Sequence, residues 1–211
     1  MAERGLRLER LEITREGRRL VSLDTLIGSG EALTVMGPSG SGKSTLLAAI
    51  AGAPPPGFSV SGRVLLDGRD VTALPPEARR IGILFQEELL FPHLSVGANL
   101  AFGLRPHVKG RAARRARVER ALVEAGLEGM AERDPATLSG GQKARAALMR
   151  MLLSEPAALL LDEAFSRLDA ALRDQIRALV FDTARREGLP LLQVTHDEAD
   201  AAAAGGRIVR L

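Results

Sequence analysis

Gly37-Pro38-Ser39-Gly40-Ser41-Gly42-Lys43-Ser44-Thr45 fits the pattern G-x-x-x-x-G-K-S/T, and the chemistry such spacing serves is the holding of phosphate. Closely spaced glycines let backbone N–H groups close around phosphate oxygens at a helix N-terminus, where the helix dipole adds to the attraction. Lys43 is then expected at the β- and γ-phosphates and Ser44 at a magnesium ion. At average residue usage such a string arises by chance in a chain of this length about one time in a hundred. A strand-like run before it and a helix-like run after it supply the context the pattern requires, so a plain Gly-rich turn is the poorer reading.

That string alone defines only a P-loop NTPase, a group that includes GTPases, kinases and DNA motors. Leu159-Leu160-Leu161-Asp162-Glu163 narrows it. A strand ending in an acid puts Asp162 beside the phosphate loop, where it would hold Mg²⁺ through water, and puts Glu163 next to the γ-phosphate. Glu163 is the candidate general base, orienting and deprotonating the attacking water. A surface carboxylate at a strand end is the plainer alternative.

Leu138-Ser139-Gly140-Gly141-Gln142, followed by the helical run from Lys143 to Leu153, forms a second helix N-terminus with free N–H groups. One chain has no second triphosphate for it to hold, and the economical answer is a dimer. In it Ser139 and the glycine amides of one subunit close over the γ-phosphate held by the other, coupling hydrolysis to opening and closing. Ser139 would also serve as an ordinary helix N-cap.

The elements that must position these residues are legible in the hydrophobic pattern. Leu6, Leu8, Leu11 and Ile13 come close to alternation, and Leu20 to Ile27 repeats it, so an antiparallel sheet lobe is expected at the N-terminus. Ala32 to Met36 reads as a buried strand and Leu46 to Ile50 as helix. Residues 52–62, rich in Pro and Gly, read as a loop before a strand at Val64-Leu65-Leu66. A strand is expected from Ile81 to Phe85, and a mostly helical lobe from about residue 87 to 153. Ala157 to Leu161 and Leu191 to Val194 look like central parallel strands, with a helix from Ala170 to Glu187 between them. The fold class expected is α/β: a P-loop core of mainly parallel sheet with flanking helices, an antiparallel β lobe and a helical lobe. Residues 1–211 form one domain in this reading, with 1–86 and 154–211 as its core.

Composition closes off other classes. The 211 residues are 45% hydrophobic and 26% charged, enough for a substantial core. The absence of cysteine excludes disulfides and Cys-based metal or redox chemistry, and histidines at 93, 107 and 196 are too scattered for a His-rich metal site. No stretch approaches the roughly 20 apolar residues that span a bilayer, nor does the charged N-terminus resemble a signal peptide, so a soluble chain is expected. The sequence pI near 10.1 invites a nucleic-acid reading, but the net charge is only +3 and missing Tyr and Cys inflate the value. Arg111, Arg114, Arg115, Arg117 and Arg120 read as the solvated face of a helix whose other side carries Ala112, Ala116, Val118, Leu122 and Ala125. No nucleic-acid partner is expected.

In order and spacing, the phosphate loop at 37–45, the signature at 138–142, the acidic strand at 158–163, Ser166-Arg167-Leu168-Asp169 and Val194-Thr195-His196-Asp197 resemble the nucleotide-binding domains of ATP-binding-cassette (ABC) transporters over nearly the whole chain. The resemblance implies an ATP hydrolase using Mg²⁺, with two ATP molecules sandwiched in a homodimer or a pair with a second ABC subunit. It implies that Gln86 touches Mg²⁺ and the attacking water, that Asp169 lies at the dimer interface, and that His196 contacts the γ-phosphate. Transmembrane permease subunits, a solute-binding protein and a place on the inner face of the cell membrane follow from the same resemblance. Leu90 to Leu104 looks like the segment that receives a coupling helix in importer ATPases. Ile81 to Gln86, Asp134 to Leu138 and Phe165 to Asp169 look most like the Ynj-type importers, relatives of the thiamine and ferric-iron systems.

Departures from the family pattern are visible. The aromatic residue that stacks on adenine has no counterpart in Ile13-Thr14-Arg15-Glu16, where Arg15 offers either a guanidinium plane for the base or a solvated charge. Ala164 stands where a proline is usual, and Lys143-Ala144-Arg145 replaces Arg-Gln-Arg. The chain ends at Leu211, soon after His196, so the C-terminal regulatory domain of some importer ATPases is expected to be absent. Rival readings are the ATPase of an exporter or lipid-handling system, and a soluble ABC ATPase acting on nucleic acid or ribosomes. The latter usually carries tandem cassettes, a coiled-coil insertion or zinc-binding cysteines, none of which is seen here.

Overall fold

The computed structural model describes residues 4–87, 89–166 and 168–211, the side chain at 171 excepted. It divides into two compact units, one comprising residues up to 83, 157–163 and 177–211, the other 84–156 and 164–176.

In the first unit, β1 (Gly5–Arg15) pairs antiparallel with β2 (Arg18–Gly28) on one side and β4 (Phe58–Leu66) on the other, with the short β5 (Arg69–Asp70) at the edge. The alternating Leu6, Leu8, Leu11 and Ile13 are fully buried, so one face of this sheet closes the core. The second sheet runs β6 (Ile81–Leu84), β7 (Ala158–Asp162), β8 (Leu191–Thr195), β3 (Ala32–Met36), β9 (Arg207–Arg210). The pairs β7–β8, β8–β3 and β3–β9 are parallel, and β7, β8 and most of β3 are buried along their length, as expected of central strands with covered faces. Helix α1 (Lys43–Ala51) packs between the sheets through Leu46, Leu47 and Ile50, which join Leu6, Leu8, Leu33, Leu160 and Leu192 in one core. The chain thus has the α/β fold of a P-loop NTPase, with an antiparallel sheet beside the parallel one.

Strand β4 starts at Phe58, six residues before the expected Val64. The stretch 58–61 pairs with Glu12 to Arg15 across the sheet, a long-range partnership that overrides the Gly- and Pro-rich local pattern. Arg79, at the end of α2 (Pro76–Arg79), is buried and anchors α1. Its Nη1 donates to the carbonyls of Ala49 (3.1 Å) and Ile50 (2.8 Å), its Nε to Leu74 O (2.8 Å), and its Nη2 to Thr72 O. A cation at the C-terminus of the phosphate-loop helix complements that helix's dipole; burial lowers the pKa of the guanidinium, which stays charged.

The second unit packs α3 (Val96–Gly103), α4 (Arg111–Glu124) and α5 (Gly140–Leu152). Asn99 is fully buried and stitches the preceding loop: its Nδ2 donates to the carbonyls of Phe91, Leu94 and Ser95, and its Oδ1 accepts from Phe91 N–H at 2.7 Å. Helix α4 buries Val118, Ala121 and Leu122. Arg111, Arg115, Arg117 and Arg120 are exposed, whereas Arg114 turns inward and donates to Ala101 O at 2.7 Å. Ala112 and Ala116, expected on the covered side, are exposed, because only the C-terminal half of α4 is buried. No helix among the described residues is long and apolar enough to cross a membrane. Helix α6 (Ala170–Arg186) follows Asp169, and α7 (Glu198–Ala204) follows Asp197.

Candidate active site

Strand β3 delivers the chain into the phosphate loop, and α1 begins at Lys43. Gly42 caps the helix with φ 94°, and a Cβ there would sit 3.1 Å from Val21 Cγ2, so both the left-handed backbone and the close approach of β2 call for glycine. The loop curls around its own lysine: Lys43 Nζ donates to Gly37 O (2.8 Å) and Pro38 O (2.9 Å) and is 6% exposed. Ser41 Oγ is buried with no hydrogen-bond partner among the described residues. A buried hydroxyl left without a partner in a phosphate-loop sequence fits an external anion better than a closed protein core.

Strands β7 and β8 bring the acidic residues and the histidine to the same end of the sheet. Asp162 Oδ1 accepts from Ser44 Oγ at 3.0 Å, joining the end of β7 to the first turn of α1. Burial raises the Asp162 pKa; the Ser44 hydrogen bond opposes the rise, Glu163 adds to it and Lys43 counters it. A hydroxyl and a carboxylate at hydrogen-bonding separation are the hard oxygen donors that suit Mg²⁺, so Ser44 and Asp162 fit the expected ion. Glu163 adopts φ 47°, a left-handed conformation unusual for a non-glycine residue, and its N–H is held by Val194 O at 3.1 Å. Its Oε1 lies 3.7 Å from Lys43 Nζ and 3.3 Å from His196 Nδ1. Lys43, Ser44, Asp162, Glu163 and His196, drawn from three distant stretches of chain, therefore converge.

Gln86, Ser139 to Gln142 and Asp169 belong to the second unit. Gln86 is exposed just after β6. Ser139 caps α5 in a reciprocal capping box: its Oγ accepts from Gln142 N–H (3.3 Å) while Gln142 Oε1 accepts from Ser139 N–H (3.0 Å). Gly141 has an internal reason to be glycine, since a Cβ there would strike the Leu172 side chain at 2.4 Å. Around Gly140, nothing among the described residues lies within 4 Å of where its Cβ would be. Asp169 accepts from Leu172 N–H at 3.0 Å and so caps α6; Arg167 lies outside the described residues. Arg15 is exposed, its guanidinium 5.4 Å from the centroid of Phe58, the residue opposite it on β4. That partner is missed by a reading that treats 52–62 as loop.

A parallel sheet whose phosphate loop, acidic strand end and histidine meet in this way defines a P-loop ATP hydrolase. The chain belongs to the ABC transporter family, whose description matches residues 20–166. It is 50% identical over 188 residues to the ABC transporter ATP-binding protein YnjD of Escherichia coli K12, covering 89% of this chain and 86% of that one. It is 46% identical over 196 residues to the thiamine import ATP-binding protein ThiQ of Cereibacter sphaeroides, covering 93% and 83%. Among solved structures it resembles the ATP-binding cassette MJ0796, in a dimeric post-hydrolysis state bound to ADP and phosphate. The TM-score is 0.81 and the identity 31%, over 98% of this chain and 94% of that one.

Proposed function

We propose that this chain powers an ABC importer of a small solute of the thiamine or iron class, working as a nucleotide-sandwich dimer against permease subunits on the inner face of the membrane. The phosphate loop, Gly37 to Thr45, receives the triphosphate, with Lys43 exchanging the Gly37 and Pro38 carbonyls for phosphate oxygens. Ser44, Asp162 and Gln86 would hold Mg²⁺, which supplies charge neutralisation at the β- and γ-phosphates. Glu163 takes the proton of the attacking water. His196, 3.3 Å from that carboxylate, orients it and faces the γ-phosphate. Ser139, Gly140, Gly141 and Gln142 of the partner close the second side of the nucleotide, with Asp169 at the interface. Loss of the γ-phosphate, gripped from both sides, lets the dimer reopen.

The observation that carries the catalytic reading is the meeting of Lys43, Glu163 and His196 around one carboxylate oxygen. The importer reading is supported by the name of the ThiQ relative at 46% identity. It is tested by measuring ATP hydrolysis by the chain assembled with its permease in lipid nanodiscs. Stimulation by a solute-loaded binding protein from the outer side is the expected result; stimulation by substrate without any binding protein would point to an exporter.

A further inference from the structure

Directly behind His196 lies a buried polar cluster that the proposed chemistry does not use. Asp200, on α7, is 2% exposed, and Arg177, on α6, is 7% exposed. Arg177 Nε donates to Asp200 Oδ1 at 2.6 Å, Nη2 donates to the same oxygen, and Nη2 also lies 3.7 Å from Asp197 Oδ2. The other Asp200 oxygen accepts from Thr195 Oγ1 at 3.0 Å, and Thr195 Oγ1 in turn accepts from Asp197 N–H at 3.0 Å. Gln193 Nε2 completes the cluster by donating to Thr34 Oγ1 (2.8 Å) and Asp200 O (3.0 Å), tying α7 to strands β8 and β3. The residues on both sides of His196 are thus fixed by one carboxylate, while the imidazole itself stays mostly exposed.

A buried ion pair is a poor source of stability, because desolvating two charges costs about as much as their attraction returns. A hydrophobic pair would fill the same space, so its directional bonds point to a geometric purpose. We propose that Asp200, oriented by Arg177, is a positioning residue for the reaction: through Thr195 it sets the 195–197 turn so that His196 Nδ1 reaches Glu163. The proposal rests on the reading of His196 given above. Thr195 and Asp200 are each only 2% exposed, so their side chains act through the turn and not at the surface where His196 stands.

The test uses the full chain and Mg-ATP, measuring kcat, KM, binding of a fluorescent ATP analogue and Tm for Thr195→Val, Asp200→Asn, the double variant Arg177→Met/Asp200→Leu, and His196→Ala. Thr195→Val removes only the hydroxyl link, and the double variant replaces the ion pair by apolar packing. Each is expected to lower kcat by about 100-fold, the effect of a misplacement near 1 Å, with KM and analogue binding within about threefold of wild type. In the double variant Tm stays near wild type while kcat stays low, a split that a purely structural pair does not produce. Wild-type kcat in Thr195→Val overturns the proposal, as does recovery of kcat along with Tm in the double variant; Thr195→Val decides alone should the others fail to fold. A fast His196→Ala enzyme instead sinks the reading of His196, and the proposal with it. A slow one beside fast Thr195→Val sinks the proposal only.

Discussion

His196 Nδ1 stands 3.3 Å from Glu163 Oε1, although 32 residues of chain separate them in sequence. Strands β7 and β8 are parallel neighbours, and both residues leave the sheet at the same end. If the histidine aligns the base and the γ-phosphate, His196→Ala lowers kcat by about 10²- to 10⁴-fold. ATP affinity changes little, since Lys43 and the loop amides remain. Phosphate release alongside nucleotide binding separates the two effects.

Removing the lysine has the opposite signature. Lys43→Met takes the one cation out of the phosphate loop and removes the Nζ donor from Gly37 O and Pro38 O, the latter keeping the Ser41 N–H at 3.3 Å. Nucleotide binding should be lost at millimolar ATP, while circular dichroism shows the fold intact. A variant that binds ATP normally would refute the assigned role.

Asp162 carries a prediction about stability without magnesium. Burial holds its folded-state pKa above the ordinary 3.8, so over a window above that value the folded protein keeps a proton the unfolded chain has released. Its contribution to stability is therefore greatest below the ordinary pKa and falls as pH rises through the raised one. Asp162→Asn should abolish this fall and raise the metal-free Tm at neutral pH, while eliminating Mg-dependent turnover. Thermal melts with chelator across the acidic range check the sign; a lower metal-free Tm in the variant contradicts it.

In the second unit Asn99 makes four hydrogen bonds to the loop from Phe91 to Ser95 while fully buried. Asn99→Ala takes the side-chain partner from Phe91 N–H and Leu94 O, while Phe91 O and Ser95 O keep backbone donors, and is expected to cost roughly 2–3 kcal/mol, a Tm drop of about 4–12 °C at this size. Because this loop is the proposed seat of the coupling helix, stimulation by the permease should fall further than basal ATPase.

The convergence of the phosphate loop with Asp162 and Glu163 was legible because its signals are local. The phosphate loop is a contiguous string, and Asp162-Glu163 closes an unbroken apolar run; in both, a few adjacent residues state the chemistry. What escaped depends on partners remote in the chain. Phe58 is a strand residue only because β1 lies beside it, and its contact with Arg15 follows from that register. Asp200 and Arg177 sit on two helices 23 positions apart, and neither helix pattern marks the charge as buried. Arg79 reads as one more charged residue after two prolines until its four carbonyl partners are seen. Ser139 shows the converse: the sequence suggests a ligand, and within one chain the structure finds a satisfied capping box, with Gly140 left open.

The central claim is that Glu163 performs the chemistry in a nucleotide-sandwich dimer, and Glu163→Gln addresses it most directly. Size-exclusion chromatography of the variant with Mg-ATP, beside phosphate release, should show a stable ATP-dependent dimer and turnover reduced by about 10²- to 10⁴-fold, against a wild type that hydrolyses ATP and returns to monomer. A variant that hydrolyses at the wild-type rate, or that stays monomeric with ATP bound, would contradict the account.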